Sequence, residues 1–232
     1  MSTSEWVSKI VSLENGEISI LGRIADASNA TLLGEIDGKK IVYKPVAGER
    51  PLWDFPDGNL AHREFAAYLV SEFLDFKVVP LTILRDGPYG LGMVQEWIDS
   101  DEEIDIVELA QSANEEIRKI ALFDILINNG DRKFGHFLPA TPDSVFAIDH
   151  GVTFNVENKL RTVLWQWIGE PFTEFEFRAI DRFISLFPSE QMRQLLTDME
   201  IEAALARAKS LSLSGVFPEP SEDWPAIPWP PF

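Results

Sequence analysis

Between residues 18 and 97 the apolar positions fall in short runs separated by turn-forming residues, which is the signature of strands. The runs ISILGRI and TLLGEI open this stretch, and the second faces KKIVYKPV across Asp37-Gly38, a dipeptide that accepts the positive φ angles of a tight turn. A hairpin over residues 31–46 is predicted. A second hairpin follows from LTILR and LGMVQEW, joined through Asp86-Gly87-Pro88-Tyr89-Gly90. Between them, AHREFAAYLVSEFL carries Phe65, Leu69 and Phe73 beside Ala66, Val70 and Leu74 at helical spacing, so the first half reads as a small sheet with one helix.

After Asp99 the period changes. Asn114 with Glu115 and Glu116 starts a helix whose positions Ile117, Ile120, Ala121 and Asp124 share a face and which ends near Asn128. Thr173 and Glu176 form a capping box ahead of Phe177, Ile180, Phe183, Ile184 and Phe187; Pro188 stops that helix and Ser189 caps the next. Two short extended pieces, at Phe137-Leu138 and Val145 to Ile148, stand beside polar clusters. Strands with one helix followed by a helical half predict an α+β fold of two unequal lobes, residues 1–98 and 99–217, with a cleft between them. Residues 218–232 form a separate tail, since the last 16 residues hold six of the 15 prolines and two of the seven tryptophans.

Composition narrows the partners. With 232 residues, 45% of them hydrophobic, the chain has enough apolar mass for a core. Its 38 acidic against 20 basic residues give a net charge of −18, which repels nucleic acid and anionic membrane surfaces. No cysteine is present, so disulfide, thiolate and cysteine–zinc chemistry are excluded. The chain has neither the apolar run of a membrane span nor the pattern of a secretion signal, and a cytoplasmic monomer is expected.

The chemistry concentrates in two segments. In residues 124–138 an apolar helix gives way to Asn128-Asn129-Gly130-Asp131-Arg132-Lys133-Phe134-Gly135-His136 and then to a short strand, which sets Asp131, Arg132 and His136 on a loop with rigid flanks. Eighteen residues after Asp131, Phe146-Ala147-Ile148-Asp149-His150-Gly151 ends a strand in a carboxylate and a glycine turn. Two carboxylates on neighbouring loops suit one base and one metal ligand.

The run NNGDRKFGHFL resembles the catalytic loop of the atypical kinases related to the phosphatidylinositol 3-/4-kinases and to HipA-like kinases, and AIDHG resembles their metal-binding turn. The resemblance covers about residues 18–155 and implies a two-lobed protein-kinase-like fold that binds ATP with Mg2+ or Mn2+. It makes Asp131, with Arg132, the residue that orients or deprotonates the acceptor hydroxyl, and Asp149 and His136 the metal ligands. It implies that Lys44, on the third strand, meets the phosphates and that Glu64, in the first turns of the helix, holds it. Met93, Gln95, Glu96 and Trp97, where the chain crosses between lobes, take the place of the adenine-binding connection. SNATLL, VYKPVAGERPLWDFPDG and LRTVLWQW resemble an uncharacterised bacterial kinase-like family.

Two positions depart from the pattern. His136 stands where that superfamily usually has Asn, and the segment 22–31 has few glycines, leaving Ser28, Asn29 and Thr31 to present hydroxyls and amides to phosphate, residues that equally make ordinary turns. Two functions therefore stand side by side: an ATP-dependent phosphotransferase with an unidentified protein or small-metabolite acceptor, and a pseudokinase that binds nucleotide and regulates a partner. Adenylyl transfer, with ATP reversed, is a third. A zinc site from His62, His136 and His150 is disfavoured because no pair has i, i+4 spacing. The acidic run 99–105 reads as a solvated linker. The insertion 47–59 reads as a loop over the cleft with Arg50 near phosphate, or as a support for its own lobe. Lys159 and Arg161 offer positive charge to an anionic acceptor, whereas Trp165 and Trp167 read as core and the tail as wrapping the chain's own surface.

Overall fold

The computed structural model describes residues 3–24, 29–55 and 58–232. A five-stranded antiparallel sheet in the order β1-β2-β3-β5-β4 is built from β1 (Ser19–Arg23), β2 (Leu32–Ile36), β3 (Lys39–Pro45), β4 (Thr82–Gly87) and β5 (Gly90–Glu96). The β2–β3 turn puts Asp37 at φ 50° and Gly38 at φ 77°, the pair of left-handed residues that a two-residue hairpin of this twist requires. Across β3 and β5, Lys44 pairs with Met93 and Val42 with Gln95. The approach there is close: a Cβ on Gly92 would lie 2.6 Å from the Lys44 carbonyl oxygen.

The first half contains one helix more than the sequence reading. Helix α1 (Thr3–Asn15) carries Trp6, Ile10 and Leu13 at helical spacing onto the sheet's outer side, where Leu13 joins Ile18, Ile36 and Ile41 in the core. Arg85 closes its end by donating to the carbonyls of Leu13 (2.6 Å) and Gly16 (2.9 Å). Helix α2 (Leu60–Phe73) starts at Asn59, whose side chain accepts from the His62 N–H, and Glu49 of the insertion accepts from the Leu60 and Ala61 N–H groups.

The acidic run is not a free linker. Asp101 N–H bonds the Pro139 carbonyl at 2.7 Å, and Asp105 caps a short helix, α3 (Ile106–Gln111). Asn114 caps α4 (Glu115–Ile127), which ends on Asn128 in the left-handed region. A two-stranded hairpin, β6 (Phe137–Thr141) and β7 (Ser144–Ala147), follows. The capping box at Thr173 begins α5 (Glu174–Leu186), and Ser189 caps α6 (Glu190–Arg193). The longest helix, α7 (Asp198–Ser214), has its own capping box at Thr197 and Glu200 and a C-terminal Gly215. Thr-Asp-Met-Glu at 197–200 is the same signal that located α5, and it went unread.

Apolar packing runs without a break from the sheet through α2 into α4, α5 and α7. The tail lies back on the helical lobe: the Ala226 carbonyl accepts from Thr162 N–H and Trp165 Nε1, each at 3.0 Å, and the Pro231 carbonyl accepts from Phe134 N–H at 2.8 Å. Among the described residues no helix is long and apolar enough to cross a membrane.

Candidate active site

Strand alternation decides which side chains of β3 turn toward Glu64 and Asp149. Ile41 and Tyr43 are buried on one face, so Lys44 projects from the other. Its ammonium lies 2.5 Å from Glu64 Oε1 on α2 and 2.9 Å from Asp149 Oδ1 after β7. Side chains from both halves of the chain thus meet at one nitrogen. Burial opposes the charge on Lys44, but the two carboxylates outweigh it and hold the amine above its ordinary pKa. The same contact acts in reverse on Asp149: the Lys44 charge is the main reason its carboxyl is held well below the usual range. Glu64 is shifted up, because it is buried more completely than Lys44 can offset. Its second oxygen accepts the His150 backbone N–H at 2.9 Å, which ties α2 to the metal-type turn.

Asp149 sits in the left-handed region at φ 63°, a conformation that Asp tolerates better than most residues and that turns its carboxylate out of β7. The hairpin register pairs Phe137 with Ala147, and just outside it the Ile148 N–H bonds the His136 carbonyl at 3.0 Å, which brings the next residue, Asp149, beside His136. His136 Nε2 is 3.4 Å from Asp149 Oδ2. Burial pushes the His136 pKa down to about 4 despite that carboxylate, leaving a neutral imidazole with a lone pair to offer. No cluster of three or more His, Asp or Glu suited to a metal occurs among the described residues. A carboxylate and an imidazole fit a divalent cation that takes its other ligands from phosphate and water, as magnesium-type sites in phosphotransfer do.

Asp131 is placed by its neighbours. Its N–H bonds Asn129 Oδ1 at 3.0 Å, and Asn129 Nδ2 donates to Asp124 Oδ1 at 2.9 Å. Its carboxylate is 3.2 Å from Lys133 Nζ and lines a cavity with Trp53, Lys159 and Arg161. Burial raises its pKa, with Lys133 partly opposing, which makes it a better proton acceptor than a free aspartate.

Arg132, grouped with the catalytic residues from sequence, makes its contacts inside the helical lobe. It is fully buried, bonds both oxygens of the fully buried Asp124 at 2.9 Å, donates to the Ile148 carbonyl at 2.8 Å and meets His150 Nε2 at 2.7 Å. It is a positioning residue: it fixes the loop of Asp131 against the turn of Asp149. Asp124, its partner, and Asn129, which donates to Asp124, have no role in the sequence reading, where an acid on a buried helix face is the readable sign.

The proposed adenine connection also differs in detail. Met93 and Gln95 are buried, and Gln95 Nε2 donates to Thr82 Oγ1 at 2.9 Å. The N–H groups of Glu96 and Trp97 are used by the Leu81 (2.9 Å) and Lys40 (3.3 Å) carbonyls, and Lys9 of α1 pairs with the Glu96 carboxylate. These donors are taken; β5 ends at Glu96, and Trp97 makes the last backbone bond to β3. Asn29 accepts the Arg50 N–H at 2.9 Å, joining the β1–β2 loop to the insertion, while Ser28 lies outside the described residues. Arg50 itself is exposed, and the insertion instead sets Trp53 and Asp54 against Lys159. Trp167 is core, as expected, and Trp165 anchors the tail.

This two-lobed arrangement is the protein-kinase-like fold. The chain is similar to the Golgi casein kinase, with a TM-score of 0.60 and 14% identity to the structure with Mn/ADP bound, covering 92% of this chain and 76% of that one. A second structure of that kinase gives 0.57 at 12% identity, covering 92% and 75%. No family model matches the chain. At 41% identity over 95% of this chain and 94% of the other, it belongs to the same family as Protein Rv2133c of Mycobacterium tuberculosis.

Proposed function

We propose that the protein is an ATP-dependent phosphotransferase of the atypical kinase type, with the phosphatidylinositol 3-/4-kinase-like and HipA-like enzymes as its nearest mechanistic model. The observation that carries this is the meeting of Lys44, Glu64 and Asp149 at one point of the cleft, from three separate elements. In this reading Lys44 leaves Asp149 Oδ1 for the ATP phosphates, and Glu64 keeps it in place. Asp149 and His136 would hold Mg2+ or Mn2+, whose chemistry is to neutralise phosphate charge. Both ions take mainly oxygen ligands, here Asp149, phosphate and water, with the His136 imidazole as a nitrogen donor beside them. Asp131, with its raised pKa, accepts the acceptor's proton. Adenine would lie where the chain leaves β5, against backbone atoms of Ile98 and Asp99, since the preceding donors are occupied.

Nucleotide binding without turnover is the second reading, favoured by His136 standing where an oxygen ligand is usual. One experiment separates the two. ATP with MnCl2 should stabilise the protein by about 2.7 kcal/mol at a hundredfold excess over Kd, and chelation should remove the shift. If ADP then accumulates in the wild type and not in Asp131→Asn, the protein is a kinase; stabilisation without ADP in either makes it a pseudokinase. No shift with any nucleotide overturns both.

A further inference from the structure

The cavity beside Asp131 is not lined by the Lys44 cluster but adjoins it, since the charges of Asp131 and Asp149 act on each other. It holds about 300 Å3 and is lined by Asp131, Trp53, Asp54, Lys159, Arg161 and Trp224, brought together from the catalytic loop, the insertion, the segment after Asp149 and the tail. Asn128 organises one wall. Its side chain donates to the Asn155 and Glu157 carbonyls and accepts the Lys159 N–H at 3.0 Å, which fixes the run that presents Lys159.

The two cations of this cavity are not equivalent. Lys159 is buried, with Nζ 4.8 Å from the Trp53 ring and 4.2 Å from the Trp224 ring, and its charge is met by Asp54 at 3.3 Å and Glu157 at 3.0 Å. Arg161 is held through its backbone to Asn129 and Arg132, but among the described residues no carboxylate pairs with its guanidinium, and its Nε is buried without a hydrogen-bond partner. Arg161 is half-buried, and it is the outer N–H groups of its guanidinium, unpaired with any carboxylate among the described residues, that an anion in the cavity can take in charge-assisted hydrogen bonds. Of the two carboxylates facing the cavity, Asp54 is beside Lys159 and Asp131 is beside Lys133; Arg161 acts on the Asp131 charge without forming an ion pair with it.

Size and access favour a small ligand. About 300 Å3 is the lower end of small-molecule sites. The tail is hydrogen-bonded to Thr162, Trp165 and Phe134, so the chain's own end occupies the surface beside the cavity along which a peptide would have to lie.

We infer that the acceptor is a small molecule bearing a hydroxyl and one anionic group, a carboxylate or a phosphate ester, seated on Arg161 with its hydroxyl toward Asp131 and its skeleton against the wall that carries Trp53, Lys159 and Trp224. This rests on the phosphotransfer reading above. The acceptor oxygen forms a bond to the γ-phosphorus, the bond from that phosphorus to the bridging oxygen breaks with its electron pair leaving on ADP, and the hydroxyl proton passes to Asp131.

The test needs no nucleotide. Tryptophan emission of the full chain is titrated at constant ionic strength with gluconate, glucose 6-phosphate and glucose. A saturable change with either anion and none with glucose is expected, and the tighter of the two identifies the anionic group. Arg161→Gln should weaken that binding about tenfold or more. Trp53→Ala, at a position 81% exposed and so without cost to the core, should weaken it severalfold and decides the matter if Arg161→Gln fails to fold. Equal responses to glucose and its phosphate, no response to any of the three, or unaltered affinity in the folded variants overturns the inference. The ATP and manganese melting shift, measured on the same preparation, reports the phosphotransfer reading separately: anion binding without an ATP shift leaves the ligand class standing and removes the kinase, and the converse removes only this acceptor.

Discussion

Two ionic clusters face each other across three dipeptides, and they are built to opposite rules. In Arg63-Glu64, Asp131-Arg132 and Asp149-His150, one residue belongs to the cleft and its neighbour to the scaffold. The cleft group of Lys44, Glu64, Asp149 and Asp131 includes partly exposed carboxylates, Asp149 being 48% exposed, and its lysine is shared between two partners. The scaffold group is dry and closed: Arg132 takes both oxygens of Asp124, and Arg63 reaches from α2 to Glu200 on α7 at 2.5 Å and to the Thr153 carbonyl at 3.0 Å. A shared cation can exchange partners when a triphosphate arrives. A buried bidentate pair cannot, because separating it leaves an unmet charge in a low dielectric. The difference assigns chemistry to the first group and alignment of the two lobes to the second.

The contrast breaks most visibly at Asp131. Asp131→Asn should lower ADP production by about a hundred- to ten-thousandfold and leave the denaturant midpoint almost unchanged. Asp124→Ala does the reverse: it strands the Arg132 charge and should cost about 3–5 kcal/mol of stability in urea unfolding. A loss below 1 kcal/mol would mean that Arg132 finds another partner and that the scaffold group is misread. Glu200→Ala leaves Arg63 with Thr153 and the Phe55 ring, 4.5 Å from its guanidinium carbon, so a loss of about 2–3 kcal/mol is expected from the same measurement.

A smaller effect comes from pH. Arg132 donates to His150 Nε2, so the proton sits on Nδ1, and burial next to that guanidinium holds the folded pKa of His150 well below 6.5. The unfolded chain takes up a proton below about pH 6.5 that the folded chain refuses. Stability is therefore intact above pH 6.5 and falls as pH is lowered, by up to about 1.4 kcal/mol per pH unit from this residue. His136, whose folded pKa is about 4, adds to the slope until that pH is reached. Urea titrations from pH 7.5 to 5 in chelator measure it, and a flat profile refutes it. The smallest effect calibrates the rest: Glu174→Ala removes an exposed i, i+4 pair with Arg178 and should change stability by no more than about 0.5 kcal/mol.

Local signals carried much of the fold. The Asp37-Gly38 hairpin, the caps at Asn114, Thr173 and Ser189 and the end of α4 at Asn128 were legible because each depends on residues within a few positions of one another. The missed elements fell where a local cue competed with composition. Helix α1 begins the chain without a run of strong signals, and Asp105 was absorbed into an acidic stretch although it is an N-cap. That the Glu96 and Trp97 N–H groups are spent on Leu81 and Lys40 is not legible in sequence, because such bonds are settled by strand pairing, which a single strand does not reveal.

By itself, the sequence determined the α+β order of elements, the separation of Asp131 from Asp149, and a net charge of −18. Tertiary structure alone decided the partners: that Lys44 is divided between Glu64 and Asp149, that Arg132 turns inward while Asp131 turns out, and that the insertion and the tail close one cavity around Arg161 and Lys159. The reason is range. Turns and caps are fixed by neighbours along the chain, whereas these ion pairs join residues up to 105 positions apart, so only the packing of the two lobes sets which charges share a dielectric and which face water.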